Sequence, residues 1–277
     1  YTSSHPYGAY VIPKLSDAVG VYHTNPKLYY VPKQKALGKY NLEYGDELYM
    51  LVERPDETFL DQPNFGKPDA IESTSDVLEN IRDVEEYRID EEAFIRARLF
   101  DMLIGDWDRH QDQWRWSRFD DKQRNIKMYR PIPRDRDQVF ANYDGALLNI
   151  LNVLMPATQQ FQQYDGELKD IKWINLAGIK IDRTFAQTSD REVWLSQASI
   201  IQELLTDKVI DEAFKSLPSE LDPTTAEIIK SKLRERRSHM VNIAQRYYDY
   251  LNDLVIITAT DKDDQVKVDI NRDHTIV

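Results

Sequence analysis

The sequence contains no cysteine. Disulfide bonds, thiol nucleophiles and cysteine-ligated zinc are therefore excluded. It also contains no run of about 18 apolar residues, the length that a membrane-spanning helix requires. Glycine is scarce, with 9 in 277 residues, and no G-x-G-x-x-G phosphate-binding loop occurs. If the chain binds a phosphorylated ligand, other groups must replace such a loop.

The chain also has fewer basic than acidic residues. The chain has 36 lysines and arginines against 48 acidic residues, which gives a formal net charge of −12. Nucleic acids and anionic membranes favour basic surfaces, so neither is expected as a general partner. The 41% hydrophobic and 11% aromatic residues indicate a folded globule. The length suffices for one large domain or two modest ones.

The chain begins at Tyr1 without an initiator methionine, and no signal peptide is visible. We therefore expect it to be part of a longer protein. Residues 1–60 are predicted to form a smaller first lobe, with one helix over 4–20, interrupted near Pro13. KLYYVPKQ and ELYMLVERP have the composition of strands. The proline-containing stretch from Asp56 to Ala70 is predicted to be a loop at the domain boundary.

Residues 61–255 are predicted to be mostly helical. Asp90 and the two glutamates after it favour a helix N-terminus, and the apolar spacing that follows continues to Gly105, a usual terminator. A long helix is predicted from Asp222, with an apolar stripe that ends at Leu254. Residues 256–277 are predicted to form a β-hairpin or a linker.

The stretch LFDMLIGDWDRHQDQWRW, residues 99–116, places polar groups at alternate positions after an apolar helix. These are Asp106, Asp108, His110 and Asp112. WRWSRF and NIKMYRPI then flank a turn and predict a β-hairpin. A second acid pair follows directly in PRDRDQVF. Phosphoryl transfer needs a carboxylate to orient the acceptor and further oxygen ligands for Mg²⁺, which this order of elements can supply.

GDWDRHQDQW resembles the D-x-H-x-x-N catalytic loop of atypical kinases, including HipA-like kinases, CotH-type spore-coat kinases and lipid kinases. PRDRDQVF is similar to the W-D-x-D segment of the CotH-type group, the counterpart of D-F-G. The resemblance covers about residues 94–140. It implies an α+β, incomplete protein-kinase-like two-lobe fold, with a mostly helical C-terminal lobe and a β-hairpin at the active site. It also implies an ATP- and Mg²⁺- (or Mn²⁺-) dependent phosphotransferase acting on an unknown protein or small-molecule acceptor.

The resemblance assigns roles to individual residues. Asp108 matches the catalytic base, Arg109 the arginine of D-R-H, and His110 the loop histidine that braces the site. The implied metal ligands are Gln113, Asp135 and, as a second candidate, Asp137. LYMLVERP would lead into the hinge between the lobes, with Glu53 near an adenine. Apart from the resemblance, Arg134 and Arg136 are candidate phosphate clamps, although the alternating RDRD pattern is also typical of ordinary ion pairing.

Two departures from the kinase pattern keep other functions open. Gln113 stands where the motif has Asn, and residues 1–55 contain no recognisable nucleotide-binding lysine, which we expect upstream of Tyr1. A catalytically degenerate kinase fold that acts as a binding or scaffolding module is therefore the first alternative. The second is a metal-dependent phosphatase, because MLIGDWD resembles the start of haloacid-dehalogenase-type enzymes. That motif requires a strand before its nucleophile, Asp106, where the periodicity predicts a helix.

The chain as a whole also resembles a bacterial family common in Bacteroidetes. In that family the region lies between an upstream domain, often metallophosphoesterase-like, and a C-terminal outer-membrane barrel. The resemblance implies a cell-envelope location, in the periplasm or at the outer membrane, with these domains as covalent neighbours.

Overall fold

The computed structural model of the chain describes residues 5–143, 161–186, 188–254, 263, 265–270 and 275–276. Its α-helices are α1 (Ile12–Val19), α2 (Asn41–Tyr44), α3 (Thr74–Asp83), α4 (Glu91–Ile104), α5 (Ile171–Ile174), α6 (Ile179–Phe185), α7 (Arg191–Leu204), α8 (Asp207–Phe214), α9 (Pro223–Ser238) and α10 (Met240–Asn252). The strands are β1 (Lys27–Val31), β2 (Glu47–Leu51), β3 (Ala70–Ser73), β4 (Tyr87–Ile89), β5 (Trp114–Asp121), β6 (Ile126–Pro133), β7 (Asp269–Ile270) and β8 (Thr275–Ile276).

Helix α1 is shorter than the helix predicted over residues 4–20. A 3-10 turn, Gly8–Tyr10, precedes it, and Pro13 lies in its first turn instead of interrupting it. Proline is tolerated there because the first N–H groups of a helix have no intrahelical acceptor. Leu15 and Val19 are fully buried in the main core, where α1 packs against α7 and α8. The first helix is thus anchored on the helical part of the molecule.

The two strands predicted in the first part are present as an antiparallel ribbon, β1–β2. Lys27 pairs with Leu51 and Val31 with Glu47. Four of the five residues in each strand are exposed, including Tyr30 and Leu48. The ribbon therefore contributes little to the hydrophobic core.

The predicted hairpin after the acidic loop is confirmed. Strands β5 and β6 pair antiparallel from Trp114 opposite Pro133 to Asp121 opposite Ile126. They form the centre of a four-stranded sheet with the order β3-β5-β6-β4, in which only β4 runs parallel to its neighbour. Trp114 and Trp116 on β5 are fully buried. Their burial fixes the hairpin against α4, where both rings contact Phe94.

Helix α4 follows its sequence signals closely. The Asp90 side chain accepts the N–H of Ala93 as an N-cap, and Gly105 ends the helix with a left-handed φ of 76°. Its apolar face is buried against α7, which also packs on α10. The single long helix predicted from Asp222 is wrong, because α9 ends and α10 begins at His239. The apolar stripe continues across this break, so periodicity alone did not reveal it.

The α+β fold class is confirmed. A small β-ribbon, a four-stranded sheet with the hairpin at the acidic loop, and a mostly helical remainder are consistent with a kinase-like two-lobe fold. Within the C-terminal segment 256–277, β7 pairs with β8, and residues 263 and 265–268 are in no helix or strand. The other residues of that predicted element lie outside the described part of the chain. No helix in the described part of the chain is long and apolar enough to cross a bilayer.

Gly105→Ala should destabilise the protein more than Gly20→Ala. Both glycines end a helix in the left-handed conformation, which costs a non-glycine residue about 1–2 kcal/mol. A Cβ at Gly105 would also lie 2.7 Å from the Tyr164 ring, whereas one at Gly20 would meet only the tip of Arg96 at 3.4 Å. Overpacking adds about 1–3 kcal/mol for Gly105→Ala. Urea unfolding of the two variants checks this, and equal losses would contradict the packing around α4.

Candidate active site

The acidic loop begins where α4 ends. Asp106 donates its backbone N–H to the carbonyl of Asp101 at 2.9 Å, and Phe140 donates to the carbonyl of Ile104 at 3.1 Å. The second contact joins the end of α4 to the segment that follows β6. The two acidic stretches of the sequence therefore meet at the C-terminal end of this one helix.

A buried network of charges lies beneath the loop. Arg98 on α4 donates to Asp182 on α6 at 2.6 and 2.9 Å and to Asp101 at 2.8 Å, and all three side chains are at most 1% exposed. Tyr247 on α10 also donates to Asp182. Burial raises the pKa of Asp182, while the charge of Arg98 opposes the shift. The network ties three helices together below the candidate site.

Arg109 joins the two acidic stretches. Its side chain is fully buried and donates to the carboxylate of Asp106, to the carbonyl of Arg134 at 2.7 Å and to the carbonyl of Asp135 at 2.9 Å. Arg136 donates to Asp106 from the other side at 2.9 Å. Because a guanidinium has five N–H donors in a fixed plane, one side chain can hold both loops at once. Arg109, predicted from D-R-H, therefore lies under the site and not in open solvent.

Gln113 and Asp135 are brought into contact, although 22 residues separate them. The Gln113 amide donates to the Asp135 carboxylate at 3.0 Å, and the Arg134 N–H donates to the Gln113 carbonyl at 2.9 Å. Asp135 has a φ of 52°, which a non-glycine residue adopts at a cost. The Arg109 guanidinium, which donates to the backbone carbonyl of Asp135, supports this conformation. The two predicted metal ligands thus lie side by side at the mouth of the hairpin.

Asp108 lies in the same loop with 30% of its side chain exposed. Its carboxylate accepts no hydrogen bond from any described residue, and its nearest ionic contact is Nε2 of His110 at 3.8 Å. The other ring nitrogen of His110 accepts the N–H of Asp112, which caps the short 3-10 turn Gln111–Gln113. His110 therefore braces the loop beside a carboxylate that is free to reach a ligand.

Asp137 belongs to the same group of carboxylates. Partial burial, together with the charge of Asp135, raises the pKa of Asp137, and Asp106 and Asp108 contribute in the same direction. The Gln138 amide, which donates to Asp137 at 3.0 Å, acts in the opposite sense. Crowded carboxylates of this kind are relieved by a cation or by a proton.

Glu53 and Arg134 line one cavity of about 230 Å³ between the end of the ribbon and the segment after β6. The same cavity is lined by Asp135. The Glu53 carboxylate accepts the backbone N–H of Asn25 and, at 3.3 Å, its side-chain amide. The two predicted cofactor-binding residues are therefore brought together with the predicted metal ligand.

The donor set of the loop suits a hard divalent cation bound together with phosphate. Mg²⁺ is usually held by one or two carboxylates plus substrate oxygens. Asp135 supplies a carboxylate, and rotation of the Gln113 amide presents its oxygen to the same point. Among the described residues, no three His, Asp or Glu side chains cluster closely enough to hold a metal on their own. The residues fit a metal that needs the ligand to complete its coordination.

Asp106 is poorly placed to act as a nucleophile. It is 2% exposed and its Oδ2 accepts from both Arg109 and Arg136. Burial raises the pKa of Asp106, while the two arginines oppose the shift. The preceding element is helix α4, where the phosphatase motif requires a strand. These observations disfavour the phosphatase hypothesis.

Several residues of the site were not identified from sequence. Arg98, Asp101 and Asp182 carry the buried network, and Arg54 lines the cavity. The one available signal was Asp101 in LFDMLI, a carboxylate within an apolar helix face that requires a buried partner. Arg98, three residues earlier on the same helix, is that partner.

The chain matches no family model and no curated protein. Among solved structures, it is similar to the crystal structure of a Helicobacter pylori proinflammatory kinase, CtkA. The sequences are 16% identical, the match covers 89% of this chain and 81% of that one, and the TM-score is 0.46. We transfer no residue role from this likeness. Membership of a Bacteroidetes envelope family and the HipA-like and CotH-type resemblances remain predictions.

Arg109→Gln should lower the free energy of unfolding by about 3–5 kcal/mol, because it leaves Asp106 buried with one guanidinium fewer. Arg191→Gln is the matched control. Its ion pair with Asp249 is about half exposed, and removing it should cost about 0–1 kcal/mol. Urea unfolding measures both values. A similar small loss in the two variants would show that Arg109 does not hold the loops.

Asp137→Asn should stabilise the protein at pH 7 and have little effect at acid pH. The folded-state pKa of Asp137 is raised above 3.8, so the folded protein retains a proton that the unfolded chain loses. Stability therefore falls as the pH rises from 3.8 through the raised value, and the Asn variant does not suffer this loss. Thermal unfolding from pH 3 to 8 measures the effect. Asp112→Asn, in the exposed part of the loop, is the control, and a gain that does not depend on pH would contradict the assigned crowding.

Proposed function

We propose that the chain is an atypical kinase-like phosphotransferase domain that uses ATP and Mg²⁺ to phosphorylate an unknown acceptor. The observation that carries the proposal is the contact of Gln113 with Asp135 at 3.0 Å, in the loop that also carries Asp108. Helix, loop, hairpin and second acid pair meet at one point. The phosphate end of a nucleotide, placed in the adjoining cavity, would lie beside this pair.

The chemistry assigns each side chain a separate task. The Asp108 carboxylate would accept the proton of the acceptor hydroxyl as the acceptor oxygen bonds to the γ-phosphorus. The bond from that phosphorus to the bridging oxygen breaks, and ADP leaves with the electron pair. Asp135 and Gln113 would hold the Mg²⁺ that neutralises the phosphate charge. Arg109 acts earlier, by fixing the backbone that carries them.

Asp108→Asn should reduce phosphate transfer from labelled ATP by about 10²–10⁴-fold, the usual contribution of a general base. Stabilisation of the protein by ATP and Mg²⁺ should remain, because this residue is not needed for binding. Asp135→Asn should instead abolish the Mg²⁺-dependent part of that stabilisation. Thermal unfolding with and without ligand measures binding, and transfer to a mixture of candidate acceptors measures activity.

Asp112→Asn is the matched control for both variants, since it removes a carboxylate from the exposed side of the same loop. It should retain binding and transfer. Transfer that survives Asp108→Asn would refute its role as the base. The proposal would be refuted if ATP did not shift the unfolding temperature of this chain or of a chain extended upstream of Tyr1.

A degenerate kinase-fold binding module is the second candidate, favoured by two observations. The cavity has arginines and no lysine among its described lining residues, and the Gln113 amide presents its N–H₂ group to Asp135. Nucleotide-dependent stabilisation without transfer to any acceptor or to water would select this function. Hydrolysis of p-nitrophenyl phosphate that depends on Asp106 would select the phosphatase instead.

The proposed location of this domain in the cell envelope, with an upstream domain and a downstream barrel as covalent neighbours, is supported only by the sequence resemblance. The proposed acceptor class, protein or small molecule, is equally open to experiment.

A further inference from the structure

The cavity beside Asp135 has an unusual lining for a chain of net charge −12. Arg54 enters it from the segment after β2, and Arg134 and Arg136 enter it from the segment after β6. Its volume of about 230 Å³ lies below the range of about 300–1,000 Å³ typical of pockets that hold a whole drug-sized ligand. A space of this size suits a small charged group.

The three arginines have donors left without partners. The Arg54 and Arg134 side chains act on neighbouring charged groups only through space, without a hydrogen bond or ion pair to any described residue. Arg136 is 5% exposed and uses Nη1 for Asp101 and Asp106, while its Nε and Nη2 have no hydrogen-bond partner in the described structure. Both Arg136 atoms are shielded from solvent, whereas Arg54 is exposed and Arg134 is half-buried. The charged N–H groups of Arg54 and Arg134 are therefore the donors that an anion in the cavity can reach.

The carboxylates of the cavity do not satisfy these arginines. Glu53 accepts from Asn25, and Asp135 accepts from Gln113. Burial lowers the pKa of Arg134, and the nearby charges of Arg115 and Arg54 lower it further, against the effect of Asp135. Guanidinium groups that face one another in this way repel unless an anion lies between them.

We propose that this cavity is a binding site for a phosphate group, held by the guanidinium groups of Arg54 and Arg134. Planar guanidinium groups match phosphate oxygens in bidentate fashion. The site would supply the positive charge that a glycine-rich loop and a lysine supply elsewhere. The inference rests on the proposed function only in assigning that phosphate to a nucleotide.

The test uses inorganic pyrophosphate without any divalent metal, titrated calorimetrically into the wild-type chain. Arg134→Gln and Arg54→Gln should each weaken binding by about tenfold or more, as expected for a lost charged hydrogen bond. Arg124→Gln is the control. It also removes one exposed arginine, but at the β5–β6 turn, where its side chain is 79% exposed. The control should bind as the wild type does.

Two results would overturn the proposal. One is wild-type binding that Arg134→Gln and Arg54→Gln leave unchanged or that Arg124→Gln weakens equally. The other is no pyrophosphate binding by a wild-type chain that unfolds cooperatively. Neither arginine variant loses an ion pair, because neither side chain forms one with a described residue.

Parallel titrations show whether the bound phosphate belongs to a nucleotide. They also test the phosphate site independently of the proposed kinase activity. Adenosine should show no dependence on either arginine, whereas an ATP analogue without metal should show the same dependence as pyrophosphate. Arginine-dependent pyrophosphate binding without phosphoryl transfer would support the phosphate site and refute the kinase activity. Phosphoryl transfer with an unchanged KM for ATP in both arginine variants would support the kinase activity and refute the phosphate site.

Discussion

The placement of the candidate site depends on one buried side chain, Arg109. Its guanidinium group holds the carboxylate of Asp106 and two carbonyls of the segment after β6. Desolvating a guanidinium is expensive, and the acceptors of its two Nη groups offset that cost, while its buried Nε has no hydrogen-bond partner among the described residues. The loop and the segment must therefore approach each other in one arrangement. That requirement sets the distance between Gln113 and Asp135 before any ligand is present.

The network below Arg109 extends the same constraint into the helices. Arg98, Asp101 and Asp182 connect α4 to α6, and Tyr247 adds α10. A buried ion pair between two elements resists their relative motion more than apolar packing does, because separation exposes unpaired charges to a low dielectric. The site therefore rests on helices whose relative position is fixed by charge as well as by packing.

The sequence allowed the elements around the site to be predicted, because their signals are local. The Asp90 N-cap and Gly105 terminator bounded α4, and alternating residues on either side of a turn gave the hairpin. Once those elements were correct, the approach of Gln113 to Asp135 followed from their order. The placement of Glu53 near an adenine depended on a resemblance and stays a prediction, and the structure shows only that Glu53 and Arg134 line one cavity.

The rest could not be predicted because it depends on contacts between distant parts of the chain. Arg98 and Asp182 are 84 residues apart, and neither has a local feature that marks it as buried. Arg54 follows a strand in an exposed segment, so its role in the cavity appears only when the ribbon meets the segment after β6. The break at His239 has no proline or glycine to indicate it.

The exposed ribbon β1–β2 has a consequence for the time course of ligand exchange. Met50 at its end forms one wall of the cavity, while the opposite wall is held by the buried charges. A two-stranded ribbon with mostly exposed side chains is only marginally stable, and such regions open locally at low free energy. Local opening of the ribbon would therefore admit and release a ligand without disturbing the carboxylates. Residence time would then depend on a different part of the chain from the part that positions the reacting groups.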